Sequence, residues 1–274
     1  MNLPYLLPRA IRHFLPERIT RFLLLRSMIL KPGLETADAT TAVQRYAEVL
    51  KARGVSLRGR RVLQFGYGGR FDVGIGFLEL GASNVILNDK YAAPDDDHNR
   101  RVAEKYNHYF LWKDGRPRPN PAYMTLLDGD IRDTTAVQAL PPSDVVVSNS
   151  VYEHLEDVDG ITRALSSRTD PDGLQIHFVD LRDHFFRYPF EMLHYSENVW
   201  RRWLNPTSNH NRFRLRDYRR VFDGTFHQVE IEILQRDDAA YDRARKRVRP
   251  EFVSGNRQED AATLIRIVAS KPRR

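Results

Sequence analysis

Two acid–imidazole clusters stand just beyond apolar runs. Glu153 and His154 come shortly after SDVVVSN, and Asp180, Asp183 and His184 close or follow QIHFVD. Histidine titrates near neutrality, which suits it to take a proton from an acceptor. His154 is therefore the leading candidate for a general base, with His184 and Asp180 as a second cluster. A histidine hydrogen-bonded to the helix that follows is the alternative reading of His154. A third constellation lies upstream. Val62, Leu63 and Phe65 lead into Gly66, Gly68 and Gly69, a helical pattern follows, and Val85, Ile86 and Leu87 run on to Asp89. Glycines let a backbone approach a ligand where a side chain would clash. An acid at the end of the second run can accept hydrogen bonds from ribose hydroxyls. Strand, glycine loop, helix, strand and acid make half of a nucleotide-binding α/β unit, so an adenosine-containing cofactor is expected. The dinucleotide fingerprint needs glycine at its first, third and sixth positions. The sixth counted from Gly66 is Phe71, which disfavours a nicotinamide cofactor.

The stretch from Arg61 to Tyr91 resembles the first two motifs of class I S-adenosylmethionine-dependent methyltransferases. Later segments fall where that family carries its own. LLDGDIRD resembles the adenine-contacting motif, SDVVVSNSVYEHLEDVDGITRAL the fourth strand with its helix, and TDPDGLQIHFVDL the turn and fifth strand. The resemblance covers residues 40–181. It implies main-chain contacts to S-adenosylmethionine from Gly66, Tyr67 and Gly68, and a ribose contact from Asp89. It further implies an adenine amino contact from Asp130, backbone contacts from Ile131, and a pocket floor near Asn149. Two positions depart from the family pattern: Gln64 replaces an acid before the loop, and Arg70 replaces its third glycine. The implied reaction is methyl transfer to a hydroxyl of a small molecule, glycan or lipid-linked precursor. One of His154, Asp180 or His184 would remove the proton. HYSENVWRRWLNP followed by LRDYRRVF is similar to the tail of bacterial methyltransferases of the broad methyltransferase-11 type.

The elements that must position these groups follow from the patterning. Apolar runs at 61–65, 84–88, 124–128, 144–148 and 174–180 alternate with helical patterns. That alternation predicts an α/β fold, a doubly wound, mostly parallel sheet with helices on both faces. FHQVEIEILQ and AATLIRIVAS supply two closing strands, making seven with an antiparallel closure. Ala42, Val43, Tyr46, Val49 and Leu50 mark a helix before the first strand, and FLWKDGRPRPNPAYM a loop or short hairpin. The expected organisation is a basic amphipathic extension over 1–36 and a Rossmann-like domain over 37–274. An acceptor or lid region is inserted at about 182–224, with helices starting at Ser196 and spanning Leu215 to Phe222. Tyr188, Tyr195, Trp200, Trp203 and Phe213 could stack on a sugar or base there. Arg201, Arg202, Arg212 and Arg216 could hold phosphate or carboxylate. Burial of the aromatics within a helix pair is the competing reading.

The 274 residues include no cysteine, which excludes disulfides, a thiol nucleophile and thiolate-held clusters. Nine histidines form no HxxxH pattern, so no metal is expected, and His177 in its apolar run is read as a core residue. The net charge of +7 is uneven: residues 1–31 carry six basic side chains against one acid, and residues 243–274 ten against three. Basic surfaces favour anionic partners. The N-terminal segment mixes Leu, Ile and Phe with Arg, is interrupted by Pro4, Pro8 and Pro16, and ends in the apolar cluster Leu23 to Leu30. It either touches an anionic membrane or caps the core or the mouth of the site. No apolar run is long enough to span a bilayer, and a cytoplasmic location, with the inner membrane face as the peripheral option, is expected. Two rival functions stand beside hydroxyl methylation. A non-catalytic S-adenosylmethionine-binding protein is suggested by Gln64 and Arg70. A nucleic-acid methyltransferase is suggested by the basic ends. Ser148-Asn149-Ser150-Val151 lacks the Asn/Asp-Pro-Pro-aromatic signature of amine methylators, which disfavours nucleic acid as a partner.

Overall fold

Strands apolar on both sides must be covered on both faces. The computed structural model describes residues 2–14, 38–133, 140–185, 187–206 and 209–274. Among the described residues there are nine strands: β1 (Arg61–Phe65), β2 (Asn84–Asp89), β3 (Phe110–Lys113), β4 (Arg116–Pro119), β5 (Met124–Asp128), β6 (Ser143–Asn149), β7 (Thr169–Asp180), β8 (Phe226–Arg236) and β9 (Ala262–Pro272). Seven form one sheet in the order β5-β2-β1-β6-β7-β9-β8. The first five are parallel, and β9 runs antiparallel to both neighbours. β3 and β4 form the hairpin allowed by the proline- and aromatic-rich segment.

Helices cover the sheet as the side-chain alternation dictates. Val62, Val85, Leu87, Val145 and Val147 face a core layer with α2 (Ala39–Ala52), α3 (Asp72–Glu79) and Ala103 of α4 (Asp96–Lys105). Leu63, Ile86 and Val146 face the opposite layer. There α5 (Val158–Ser167) contributes Val158, Ile161 and Leu165, and α7 (Leu215–Thr225) contributes Tyr218 and Phe222. Ser196 caps α6 (Glu197–Val199), which runs into a π-helical turn at Trp200–Leu204. A third core joins Phe190, Met192, Trp200 and Leu204 to Tyr241 of α8 (Asp238–Ala244), so the insert has a buried core of its own. A short α9 (Arg257–Asp260) precedes β9.

The N-terminal helix α1 (Leu3–Phe14) is turned inside out relative to its pattern. Tyr5, Arg9 and Arg12 are buried, while Leu3, Leu7, Ile11 and Phe14 are 54–66 % exposed. The reason is a buried acid far along the chain. Arg9 pairs with Asp183, and the Tyr5 hydroxyl donates to the same carboxylate at 2.5 Å. Pro4 sits in the first turn, where its missing N–H has no helical partner to lose, and Pro8 is carried inside the helix. The capping reading of this segment is thus what α1 adopts. Pro16 and the cluster Leu23 to Leu30 lie outside the described residues.

Candidate functional site

Strand order reverses between β1 and β6, which opens a crevice at the carboxyl ends of the parallel strands. The glycine loop leaves β1 there. Gly66 N donates to Asn88 O at 2.8 Å. The Asp89 carboxylate accepts from Gly68 N at 3.0 Å, Tyr91 N at 2.9 Å and Ala92 N at 2.8 Å. The acid that ends β2 therefore also fastens the loop. Gly69 has a φ of +84°, and a Cβ there would overlap the Ala93 carbonyl oxygen. Gly68 has a φ of +68°, but a Cβ there would meet nothing within 4 Å. Tyr67 turns its ring into the core against Phe71, so its main chain is what the crevice receives.

Sequence reasoning missed Asn99. This fully buried residue of α4 donates from Nδ2 to Gly69 O at 2.8 Å, and its Oδ1 accepts from Phe71 N at 3.1 Å. The available signal was a polar residue on the inward face of the helix that follows β2, thirty residues beyond the loop. Arg70 forms an ion pair with Asp95 at 3.7 Å, and Gln64 is buried at the end of β1.

Asp130 lies past β5 in a nest of cations. It accepts from the Arg132 guanidinium at 2.6 and 2.9 Å, from Arg132 N at 3.0 Å, and pairs with Lys90 at 3.2 Å. The hydrogen bonds from Arg132 hold its carboxyl well below the usual carboxylate range. Ile131 is buried in the second core layer. Asn149 ends β6, and Ser150 behind it takes a positive φ and donates to Phe178 O at 3.0 Å.

The imidazoles gather at the ends of β6 and β7. His154 and His184 have ring centroids 4.8 Å apart, and His210 of the insert joins them at 4.8 Å from His184 and 5.9 Å from His154. Asparagines of the insert hold this corner. Asn209 O accepts from His154 Nδ1 at 2.9 Å, and Asn211 Nδ2 donates to Tyr152 O at 2.7 Å. Burial first, then the neighbouring imidazoles, push His184 and His210 well below the ordinary histidine value. Asp180 differs from expectation. Its carboxylate is clamped by the Arg182 guanidinium at 2.6 Å and backbone N–H at 2.9 Å, which commits it to an ion pair. His177 is a core residue as read from the sequence: it bridges Ser148 Oγ at 2.8 Å and Gln175 Oε1 at 2.9 Å, and burial lowers it to about 3.

No protein-family model and no curated protein matches the chain. Solved structures do. A candidate sarcosine dimethylglycine methyltransferase from Galdieria sulphuraria superposes with a TM-score of 0.50 at 13 % identity, covering 84 % of each chain. The chain has the class I methyltransferase fold. Haemonchus contortus phosphoethanolamine N-methyltransferase 2, in complex with S-adenosyl-L-methionine, gives 0.49 at 17 % identity over 84 % of this chain and 53 % of that one. An S-adenosylmethionine-dependent methyltransferase from Mesorhizobium loti gives 0.46 at 16 % identity over 86 % and 100 %.

On this methyltransferase fold the insert spends its aromatic and basic residues mostly on itself. Trp200 is buried and donates from Nε1 to His210 O at 3.0 Å. Arg212, also buried, pairs with Glu197 and donates to Tyr195 O at 2.7 Å. Arg216 donates to Val253 O at 2.7 Å, and Arg201 pairs with Glu197 at 2.5 Å. The expected anion-binding arginines are thus largely structural, for buried or framework guanidinium groups need fixed acceptors. Trp203 alone among the insert's tryptophans is exposed, edge-on to Phe14 of α1. A cleft of about 580 Å³ runs beside His210, lined by Glu156, Trp200, Asn209, Phe213 and Phe252.

Proposed function

We propose that this chain is an S-adenosylmethionine-dependent methyltransferase acting on a hydroxyl of a small molecule, a glycan or a lipid-linked precursor. One juxtaposition carries the reading. A glycine loop tied to an acid at the ends of β1 and β2 shares a sheet edge with imidazoles beyond the neighbouring β6 and β7. The loop suits such a cofactor, since the space above Gly68 is open. Asp89 has three backbone donors, and a carboxylate can accept about four, which leaves room for a ribose hydroxyl. The main chain of Gly66, Tyr67 and Gly68 would hold the methionine end, Asp89 the ribose, and Ile131 the adenine, with Asn149 at the floor. Asp130 is the weaker adenine contact, because Arg132 and Lys90 already supply its carboxylate with four donors. When bound, the sulfonium supplies an activated methyl group.

The protein's own residues orient the acceptor and take its proton. His154 donates from Nδ1 to Asn209 O, which leaves Nε2 as the basic nitrogen. It is the proposed general base, with His184 beside it; Asp180 is the weaker candidate because Arg182 occupies it. The exposed apolar stripe of α1 supports peripheral contact with a membrane through Leu3, Leu7, Ile11 and Phe14. Since Arg9 and Arg12 are turned inward, flotation with anionic and with neutral vesicles tests whether lipid charge matters.

Calorimetry with S-adenosylmethionine and S-adenosylhomocysteine tests the cofactor, and Asp89→Ala should abolish micromolar binding. Release of S-adenosylhomocysteine in the presence of hydroxylated acceptors tests the reaction. His154→Ala should remove turnover at neutral pH while binding persists. A folded wild type that binds neither cofactor form overturns the reading. Binding without transfer to any acceptor would favour a cofactor-binding protein instead.

A further inference from the structure

Three imidazoles from three separate segments converge beyond the ends of β6 and β7. One ring nitrogen from each of His154, His184 and His210 lies within 4.8 Å of the other two. The surroundings orient them. Asn209 O fixes the Nδ1 proton of His154, and Asn209 Nδ2 donates back to His154 O at 3.0 Å. Asn205 Oδ1 accepts from His210 N at 2.9 Å, and Trp200 Nε1 grips its carbonyl. His210 Nδ1 is buried without a hydrogen-bond partner among the described residues. A carbonyl that fixes the far nitrogen of an imidazole is the outer-shell arrangement of a metal-bound histidine. A buried polar nitrogen left unpaired calls for a ligand.

We propose that His154, His184 and His210 bind a divalent transition-metal ion of the zinc class, one nitrogen each. With Nδ1 of His154 held by Asn209 O the ligand atom is Nε2, so in the metal-bound protein His154 is a ligand in place of the general base proposed above. Three protein ligands leave a tetrahedral ion one position open to water or an exogenous oxygen. Charged groups crowd the corner. Arg9, Arg12 and Arg182 act on His184, and Arg9 and Arg212 on His210. Asp183 pairs with Arg9, Asp180 with Arg182 and Glu197 with Arg212. Arg12 is buried with its guanidinium 5.9 Å from the Phe185 ring centre, and Glu153, buried beside His154, adds a fourth carboxylate to the corner. The open position would take water, hydroxide or an oxygen of a bound acceptor. The three histidines meet only in the tertiary fold, so no spacing in the sequence announces them.

The test uses the untagged full-length chain stripped with EDTA. Zinc is titrated against a chromophoric chelator, and cobalt is followed by visible absorption. One zinc per chain and the intense bands of tetrahedral cobalt are expected. His184→Ala and His210→Ala should each weaken zinc binding by about 100-fold or more, whereas His227→Ala on exposed β8 should not. A folded wild type with no cobalt bands, or zinc affinity unchanged in His210→Ala, overturns the proposal. The cobalt spectrum reads the wild type, so variants that fail to fold leave it decisive. Cofactor calorimetry on the stripped chain is a separate measurement, so loss of one reading does not carry the other.

Discussion

Alanine at Gly68 and at Gly69 should separate a ligand-facing glycine from a structural one. Both residues have a positive φ, so a Cβ at either costs about 1–2 kcal/mol of backbone strain. At Gly68 the methyl enters open space, and stability should fall by no more than that. At Gly69 the methyl overlaps the Ala93 carbonyl. Relieving that overlap disturbs the bonds that Asp95 N and Asn99 Nδ2 make to Gly69 O, both 2.8 Å, and the second of these donors is fully buried. A buried donor left unsatisfied costs about 1–3 kcal/mol, so the Gly69 variant should lose about 2–5 kcal/mol in all. Urea unfolding of both variants measures this. Cofactor affinity should order the pair differently: Gly68→Ala, although the more stable, should bind S-adenosylmethionine at least about tenfold more weakly, equivalent to ~1.4 kcal/mol. A Gly68→Ala protein that binds like wild type would refute the placement of the cofactor over the loop. Equal stability losses in the two variants would refute the steric argument.

Arg9→Met should cost about 3–5 kcal/mol in thermal or urea unfolding, because it strands the buried Asp183 carboxylate; adding Asp183→Asn should recover part of the loss. Asn99→Ala should loosen the glycine loop, seen as faster amide exchange at Gly69 and Phe71, with cofactor affinity reduced. Acid should destabilise the fold through His177. Its folded value of about 3 lies below the unfolded 6.5, so the unfolded state binds the extra proton and stability drops as pH falls from 6.5 toward 3. Between pH 7.5 and 5.5 this one group should remove about 1.4 kcal/mol. Unfolding in EDTA should show that loss diminished in His177→Gln, and parallel curves for the two proteins would contradict it.

The sheet was legible because its cause is local. Val62 and Leu63, Val85 and Ile86, and Val145 and Val146 send alternate side chains to opposite cores, and that period stands in the sequence. β1 and β5 begin and end where their apolar runs do. β7 instead starts at Thr169, since the turn-like TDPDG is drawn into the strand through an irregular pairing of Ser143 with Thr169. The loop and Asp89 were readable for the same reason. What escaped was set by distant partners. The prolines of the N-terminal segment read as interruptions, yet α1 carries Pro8 inside, and Asp183 draws its arginine face in. His210 carried no signal at all, for only the folded insert brings it to His154 and His184.

The docking of α1 also has a temporal side. Arg9 and its carboxylate partner are separated by 174 positions, one of the longest closures in the molecule. Such a contact forms only after the intervening chain has lost its freedom. The helix emerges from the ribosome early and waits for most of the sheet to be synthesised before its anchor exists. The corner holding the three histidines is therefore among the last parts to assemble. Until then both faces of the helix are unmet, arginines as well as leucines.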